Sequence, residues 1–317
     1  MALRLGLLST ARINEAVLAA AGATDALDVV AVASRDADRA AAYALKHGIP
    51  SAHPGYSDLL EDTGVDAVYL SLPNALHVEW ALRAIDAGKH VLCEKPLAWT
   101  GADAARVVDA ARGAGVVLGE GFMYRHHPQT QALRELVRLG GLGRLKRIRA
   151  WFAYTAELPQ DAIVLDPALN GGSLLDVGCY CVSVSRLLAG EPPSVSAEME
   201  MGPSGVDLRV RATMRFAGGV EAEIEAAIDR PDAAGVEVVG SRGAATVADP
   251  WHCRSAGIAL GDGRRIAVAA ADPYRLQLDD FAAAVRDGRP ALVSGAEIVG
   301  QARAIEALIE SAGRVGG

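Results

Sequence analysis

The sequence is short of everything that braces or anchors a protein by special means. Four cysteines, Cys93, Cys179, Cys181 and Cys253, are spread over 317 residues. They are too few for a disulfide framework, and their spacing matches no zinc-ligand pattern. Reduced thiols in a cytoplasmic protein are the reading that remains, and no metal site is expected. No stretch approaches the ~20 apolar residues that cross a bilayer, so no membrane role is expected. The opening run 1–8 is too short for a secretory apolar core and reads instead as a first strand. A basic excess is missing as well. Lys and Arg number 31 against 39 Asp and Glu, for a net charge of −8. A phosphate backbone needs a basic face, so non-specific nucleic-acid binding is excluded. There is no internal repeat and no low-complexity linker.

What is present is apolar and regular. Hydrophobic residues make up 51% of the chain and charged residues 22%, enough for a large core. At roughly 100–200 residues per domain, the length suggests two domains. The first 122 residues alternate strand and helix patterns. Continuous apolar runs at 3–8, 29–33, 67–71, 90–93 and 116–119 are separated by helical patterns at 14–21, 36–47, 75–87 and 101–114. Unbroken apolar strands between helices imply a parallel sheet covered on both faces, an α/β doubly wound domain. After about Phe122 the pattern changes. Strand patterns at 146–155, 195–201, 207–216, 220–228 and 236–239 are joined by hairpin signals such as Ala217-Gly218-Gly219. Residues 123–317 are therefore expected to form an α+β domain with a large, mostly antiparallel sheet. Helices are expected at 174–188, 276–286 and 297–311.

The first strand runs into Gly6-Leu7-Leu8-Ser9-Thr10-Ala11, where a dinucleotide fingerprint G-x-G-x-x-G/A belongs. The first glycine and the last small residue fit; Leu8 replaces the middle glycine. A pyrophosphate would rest on backbone N–H groups at the following helix start, with Ser9, Thr10 or Arg12 adding contacts. The second strand ends Ser34-Arg35-Asp36. A hydroxyl and a guanidinium suit the 2′-phosphate of NADP better than the ribose of NAD, which remains the alternative. The plain alternative is that Arg35 is a solvated surface charge and Asp36 caps the next helix. The third strand leads to Leu72-Pro73-Asn74, at a carboxyl end where ligands bind in such sheets. There Asn74 reads as a helix N-cap. His77 is either a cofactor-side residue or a surface residue of the first helical turn.

The fourth strand ends Glu94-Lys95-Pro96. An ion pair at a strand end is the plain explanation. The chemical one places the Lys95 ammonium against the oxygen being oxidised or reduced, where it stabilises alkoxide character.

These residues resemble the glucose–fructose oxidoreductase/inositol dehydrogenase (Gfo/Idh/MocA) family. The resemblance is carried by Glu94-Lys95-Pro96, by the Pro73-Asn74-x-x-His77 turn, and by Gly140-Gly141-Leu142-Gly143-Arg144 before the 146–155 strand. It is carried further by Gly171-Gly172-Ser173-Leu174-Leu175-Asp176-Val177-Gly178-Cys179-Tyr180 and by Tyr274-x-x-Gln277-x-x-x-Phe281. The run from Gly121 to Pro128 looks most like NADP-linked pyranose and dihydrodiol dehydrogenases and deoxysugar ketoreductases. The resemblance implies a Rossmann domain plus a sheet-based substrate domain, a homo-oligomer, and hydride transfer at a sugar or polyol carbon.

Asp176 and Tyr180 are four apart, so one helix face carries both. A phenol of ordinary pKa about 10 is a poor base at neutral pH, and a nearby Lys95 cation would lower that value. The expected roles are therefore Tyr180 exchanging a proton, Lys95 polarising the oxygen, and Asp176 orienting the substrate or Lys95. Alternatively Asp176 closes a capping box with Ser173, and Tyr180 is a core aromatic. Arg125 is expected at the cofactor, with His126 and His127 beside it, unless all three form a solvated loop. Trp251 and His252 read as loop or core. Two other functions fit the same pattern: glycoside hydrolysis on a bound NAD without net redox, or a regulatory dinucleotide binder.

Overall fold

The computed structural model describes residues 2–156, 162–254 and 257–315. The chain divides into two compact units: residues 1–98, 102–123 and 272–299 in the first, and 99–101, 124–271 and 300–317 in the second.

The first unit runs β1 (Leu3–Leu8), α1 (Asn14–Ala21), β2 (Leu27–Ala33), α2 (Ala37–His47), β3 (Ser51–His53), α3 (Tyr56–Glu61), β4 (Ala67–Leu70), α4 (Asn74–Asp86), β5 (His90–Cys93), α5 (Gly101–Ala114) and β6 (Leu118–Glu120). The six strands are parallel, in the order β3-β2-β1-β4-β5-β6. The order reverses between β1 and β4, which makes their carboxyl ends the expected ligand edge. Helix α2 starts on Asp36, whose carboxylate accepts from the Arg39 N–H at 3.0 Å, and stops at Gly48 in the left-handed region.

The second unit begins with α6 (Pro128–Arg138) and β7 (Leu145–Thr155). It continues through α7 (Cys179–Ala189), β8 (Ser194–Met201), β9 (Asp207–Phe216), β10 (Val220–Ala227), β11 (Asp229–Gly240), β12 (Ala244–Val247), β13 (Ile258–Leu260) and β14 (Arg265–Ile266). Its eight strands pair β14-β13-β12-β11-β7-β10-β9-β8, antiparallel except for β7 against β10. Strict alternation decides which face is covered. On β10, Val220, Ala222, Ile224 and Ala226 are buried while Glu221, Glu223 and Glu225 are exposed. Helix α7 packs on the buried side, against β7 and β10. The stretch Pro167–Ala189 is apolar and long, but 78% of its most apolar window is buried, as for a core helix.

One boundary differs from the sequence reading. Helix α8 (Pro273–Asp287) belongs to the first unit, not to a second domain spanning 123–317. Its Leu278, Phe281, Ala282 and Ala284 join the core of β1, β2 and α1, and Asp279 accepts from Thr24. Periodicity marks a helix but not the sheet it covers. In α9 (Ala296–Val315), residues from 300 onward group with the second unit. The short elements β3, α3 and β12–β14, and the eleven-residue helix α6, have no counterpart in the sequence reading.

Candidate functional site

The dinucleotide loop is built around a polar lock. Gly6 is needed for packing, because a Cβ there would stand 2.8 Å from Leu59 and 3.1 Å from Val65. Leu8, in the place of the middle glycine, is fully buried. The strained residue is Ser9, at φ +130°, where a non-glycine residue is rare. Its hydroxyl accepts from the Ala11 N–H at 3.1 Å and lies 2.8 Å from the Ser71 hydroxyl. Ser71 donates to Asn14 at 2.7 Å, and Asn14 donates back to the Ser9 carbonyl at 2.8 Å. This ring ties the loop to the end of β4. Among the described residues, the backbone N–H groups of Arg12 and Ile13 meet no protein acceptor, and no side chain caps α1. Donors without partners at a helix start fit a pyrophosphate. Thr10 and Ala11 are half-buried there, and Arg12 is exposed.

At the end of β2, Ser34 is buried and its hydroxyl accepts from the Asp36 N–H at 3.3 Å. Arg35 is exposed and reaches toward Tyr56, whose phenol it pulls down against a larger upward push from burial. After β4, Leu72 is buried and Pro73 half-buried. Asn74 is not the cap of α4: Pro73 holds that position and Asn74 is the first helical residue.

His77 is not on the surface. It is buried, with Nδ1 2.8 Å from the Pro96 carbonyl and Nε2 2.8 Å from the Leu72 carbonyl. Burial lowers its pKa most; the two carbonyls raise it and Lys95 lowers it further. Its ring nitrogens are committed to the backbone, so it supports the cofactor edge rather than offering a donor to a ligand.

Lys95 follows β5 and is half-buried, and its peptide bond to Pro96 is cis. Glu94 accepts from the Tyr69 hydroxyl at 2.5 Å. Glu120, also buried, accepts from the Leu97 N–H at 2.8 Å. Gly121 passes close to Glu94, since a Cβ on it would lie 3.0 Å from Glu94 Oε1. Burial, then Glu120 and Glu94, push the Cys93 thiol well up, so it stays protonated and inert.

In the second unit the helix expected at 174–188 opens with a π-turn, Leu174–Gly178, before α7. The wider turn replaces the simple four-residue spacing on which Asp176 and Tyr180 were placed on one face. The capping box, the alternative reading of Asp176, is absent. Ser173 donates instead to Asp207 at 2.7 Å, and the Leu174 N–H donates to the same oxygen at 2.7 Å. Burial raises the Asp207 pKa against these bonds. Gly172, at φ +110°, leaves the space that Asp207 fills.

Asp176 is thereby left for other work. It accepts from the Tyr154 hydroxyl at 2.6 Å. Tyr180 is buried among Tyr124, Phe152 and Trp251, with ring centroids 5.6 to 5.7 Å away. Trp251 is a fully buried core residue whose indole donates to the Trp151 carbonyl at 3.2 Å, and His252 stands edge-on to Phe152. Arg125 and His127 are buried rather than part of a solvated loop. Arg125 belongs to the second unit and donates to Ser183 on α7 at 3.4 Å, while His127 caps α6 through the Gln129 N–H. Trp251, read as loop or core, is core; reading the sequence missed Asp207 and Phe152. No local motif marks them, because they matter only through residues distant in the chain.

A parallel six-stranded sheet with a dinucleotide loop, joined to an eight-stranded sheet carrying an Asp-and-Tyr helix, defines a two-unit nicotinamide-binding oxidoreductase. The chain belongs to the GFO/IDH/MocA family. The model described as oxidoreductase family, NAD-binding Rossmann fold, matches residues 4–122, and the family's C-terminal domain matches residues 130–246. Among similar proteins, a D-xylose 1-dehydrogenase (NADP(+)) of Haloferax volcanii is 38% identical over 97% of this chain and 96% of its own. A trans-1,2-dihydrobenzene-1,2-diol dehydrogenase of Sus scrofa is 34% identical over 77% of this chain and 72% of its own. The solved structure of KijD10, a 3-ketoreductase from Actinomadura kijaniata in complex with NADP and TDP-benzene, is 30% identical. It covers 98% of both chains at a TM-score of 0.92.

Proposed function

We propose that this chain is an NADP(H)-dependent dehydrogenase or reductase acting at a CH–OH or C=O carbon of a sugar or polyol. The observation that carries the reading is the end of β5, where the half-buried Lys95 stands at the carboxyl edge of the sheet beside the β1–β4 switch point. When bound, the nicotinamide exchanges the hydride. Lys95 donates to the substrate oxygen and stabilises its alkoxide character. Tyr180 takes the hydroxyl proton on oxidation and returns it on reduction. One hydride and one proton thus leave together as CH–OH becomes C=O. Asp176, held by Tyr154, orients the substrate.

Preference for NADP is supported by the end of β2. The acid there, Asp36, is engaged as the cap of α2, while Arg35 is exposed and able to meet a 2′-phosphate. The relatives named above that carry NADP in their descriptions agree with this. Four buried free thiols are consistent with a cytoplasmic setting. A homo-oligomer belongs to the same reading and is checked by light scattering.

The test is a screen of aldoses, polyols and keto-sugars with NADP and NAD, followed at the reduced-nicotinamide absorbance. A stoichiometric absorbance change with NADP is expected. Product without net cofactor change would indicate glycoside hydrolysis instead, and cofactor binding with no product would indicate a regulatory binder.

A further inference from the structure

Near Lys95 lies a buried histidine whose two ring nitrogens both face backbone carbonyls. Ladder pairing between β4 and β5 ends at Leu70 with Cys93, followed by one bond from the Glu94 N–H to the Leu70 carbonyl. The segments beyond that point are the ones that matter chemically. One holds Leu72 and the start of α4; the other holds Lys95. The His77 side chain lies between them, fully buried, with one ring nitrogen 2.8 Å from the Leu72 carbonyl and the other 2.8 Å from the Pro96 carbonyl.

We infer that His77 is a positioning residue that ties the strand end bearing Lys95 to the turn after β4, and so fixes where the Lys95 ammonium stands. The inference rests on the reading of Lys95 as the oxygen-polarising group. Its physical basis is the donor count. A buried carbonyl needs a donor, and two carbonyls here face one imidazole, which donates to one of them when neutral and to both when protonated. The Pro96 carbonyl is one residue from Lys95, so a ring that grips it restricts the lysine backbone directly. Misplacing a reacting group by about 1 Å costs on the order of 10²-fold in rate, which sets the expected size of the effect.

The two contacts separate by substitution. Asparagine puts an amide nitrogen near the place of Nδ1, which faces Pro96; glutamine puts one near the place of Nε2, which faces Leu72. His77→Leu removes the imidazole from both carbonyls. The readouts are kcat and, separately, the dissociation constant of NADP. His77→Leu is expected to lower kcat about 10²-fold while NADP affinity changes by less than about 5-fold. His77→Asn is expected to keep kcat within about tenfold of the parent, and His77→Gln to fall below it, because only asparagine retains the grip on Pro96.

Parental kcat in His77→Leu would overturn the inference. If that variant does not fold, the Asn and Gln pair decides alone: glutamine equal to or faster than asparagine overturns it. Lys95→Ala measured in parallel separates the two claims. If that variant turns over normally, the reading of Lys95 fails. If it is inactive while His77→Leu keeps the parental rate, only the role of His77 fails.

Discussion

The Tyr154 hydroxyl donates a 2.6 Å hydrogen bond to Asp176 Oδ2, joining the end of β7 to the π-turn before α7. A hydrogen bond to a charged acceptor contributes about 1.5–3 kcal/mol. Tyr154→Phe removes the donor and leaves the ring. Sugar kcat/KM is expected to fall about tenfold or more, with NADP affinity unchanged. Steady-state kinetics and a cofactor titration on the same preparation check both halves.

Lys95→Ala is expected to abolish turnover while NADP still binds, as read by fluorescence titration. Tyr180→Phe should cost at least ~10²-fold in kcat if its hydroxyl exchanges the proton. A near-parental rate would move that role to another group or to water.

Arg35→Asp should weaken NADP binding much more than NAD binding, because it replaces the exposed guanidinium after β2 with an acid suited to a free ribose. Comparing both dissociation constants is the measurement. Equal losses would refute the assignment of the 2′-phosphate to Arg35.

Ser9 holds a backbone angle that glycine adopts freely and uses its hydroxyl to stay there. Ser9→Ala keeps the strained angle and loses the lock, so it should destabilise by about 1–3 kcal/mol. Ser9→Gly relieves the strain and should cost less. Urea unfolding of the two variants tests the order, and NADP affinity should fall in both.

Stability should decline in mild acid. Burial is the largest cause holding His77, His90, His127 and His252 below the ordinary histidine value. A histidine with a depressed folded pKa favours folding while it is neutral. Its contribution is whole above the unfolded value of about 6.5 and is lost as pH falls from there toward the folded value. Asp207, raised by burial, works in the opposite direction, one group against four. Asp62 and Asp66, both lowered, add a loss only as pH falls below about 3.9. Tm should therefore drop between pH 7.5 and 5.5; an unchanged Tm over that range would contradict the account.

The first unit was largely legible from its amino acids. Buried strands in parallel sheets are continuous apolar runs, and glycines at helix ends mark the stops, so β1, α1, β5 and α5 fall at residues 3–8, 14–21, 90–93 and 101–114 as read. The second sheet was legible where alternation was strict, as on β9 and β10, and lost where strands were two to four residues long.

The site divides along the same line. Sequence alone determined the chemical inventory: a lysine after a buried strand, an acid and a phenol in one glycine-led helix, and an arginine after β2. Those depend on residue type and local spacing. Tertiary structure decided how each residue is held. Asp207 takes over the capping that Asp176 was free to do. His77 turns inward to two carbonyls, and α8 joins the first sheet across most of the chain length. Hydrogen bonds and apolar faces are matched by proximity in space, and a linear pattern does not encode which distant partner satisfies them.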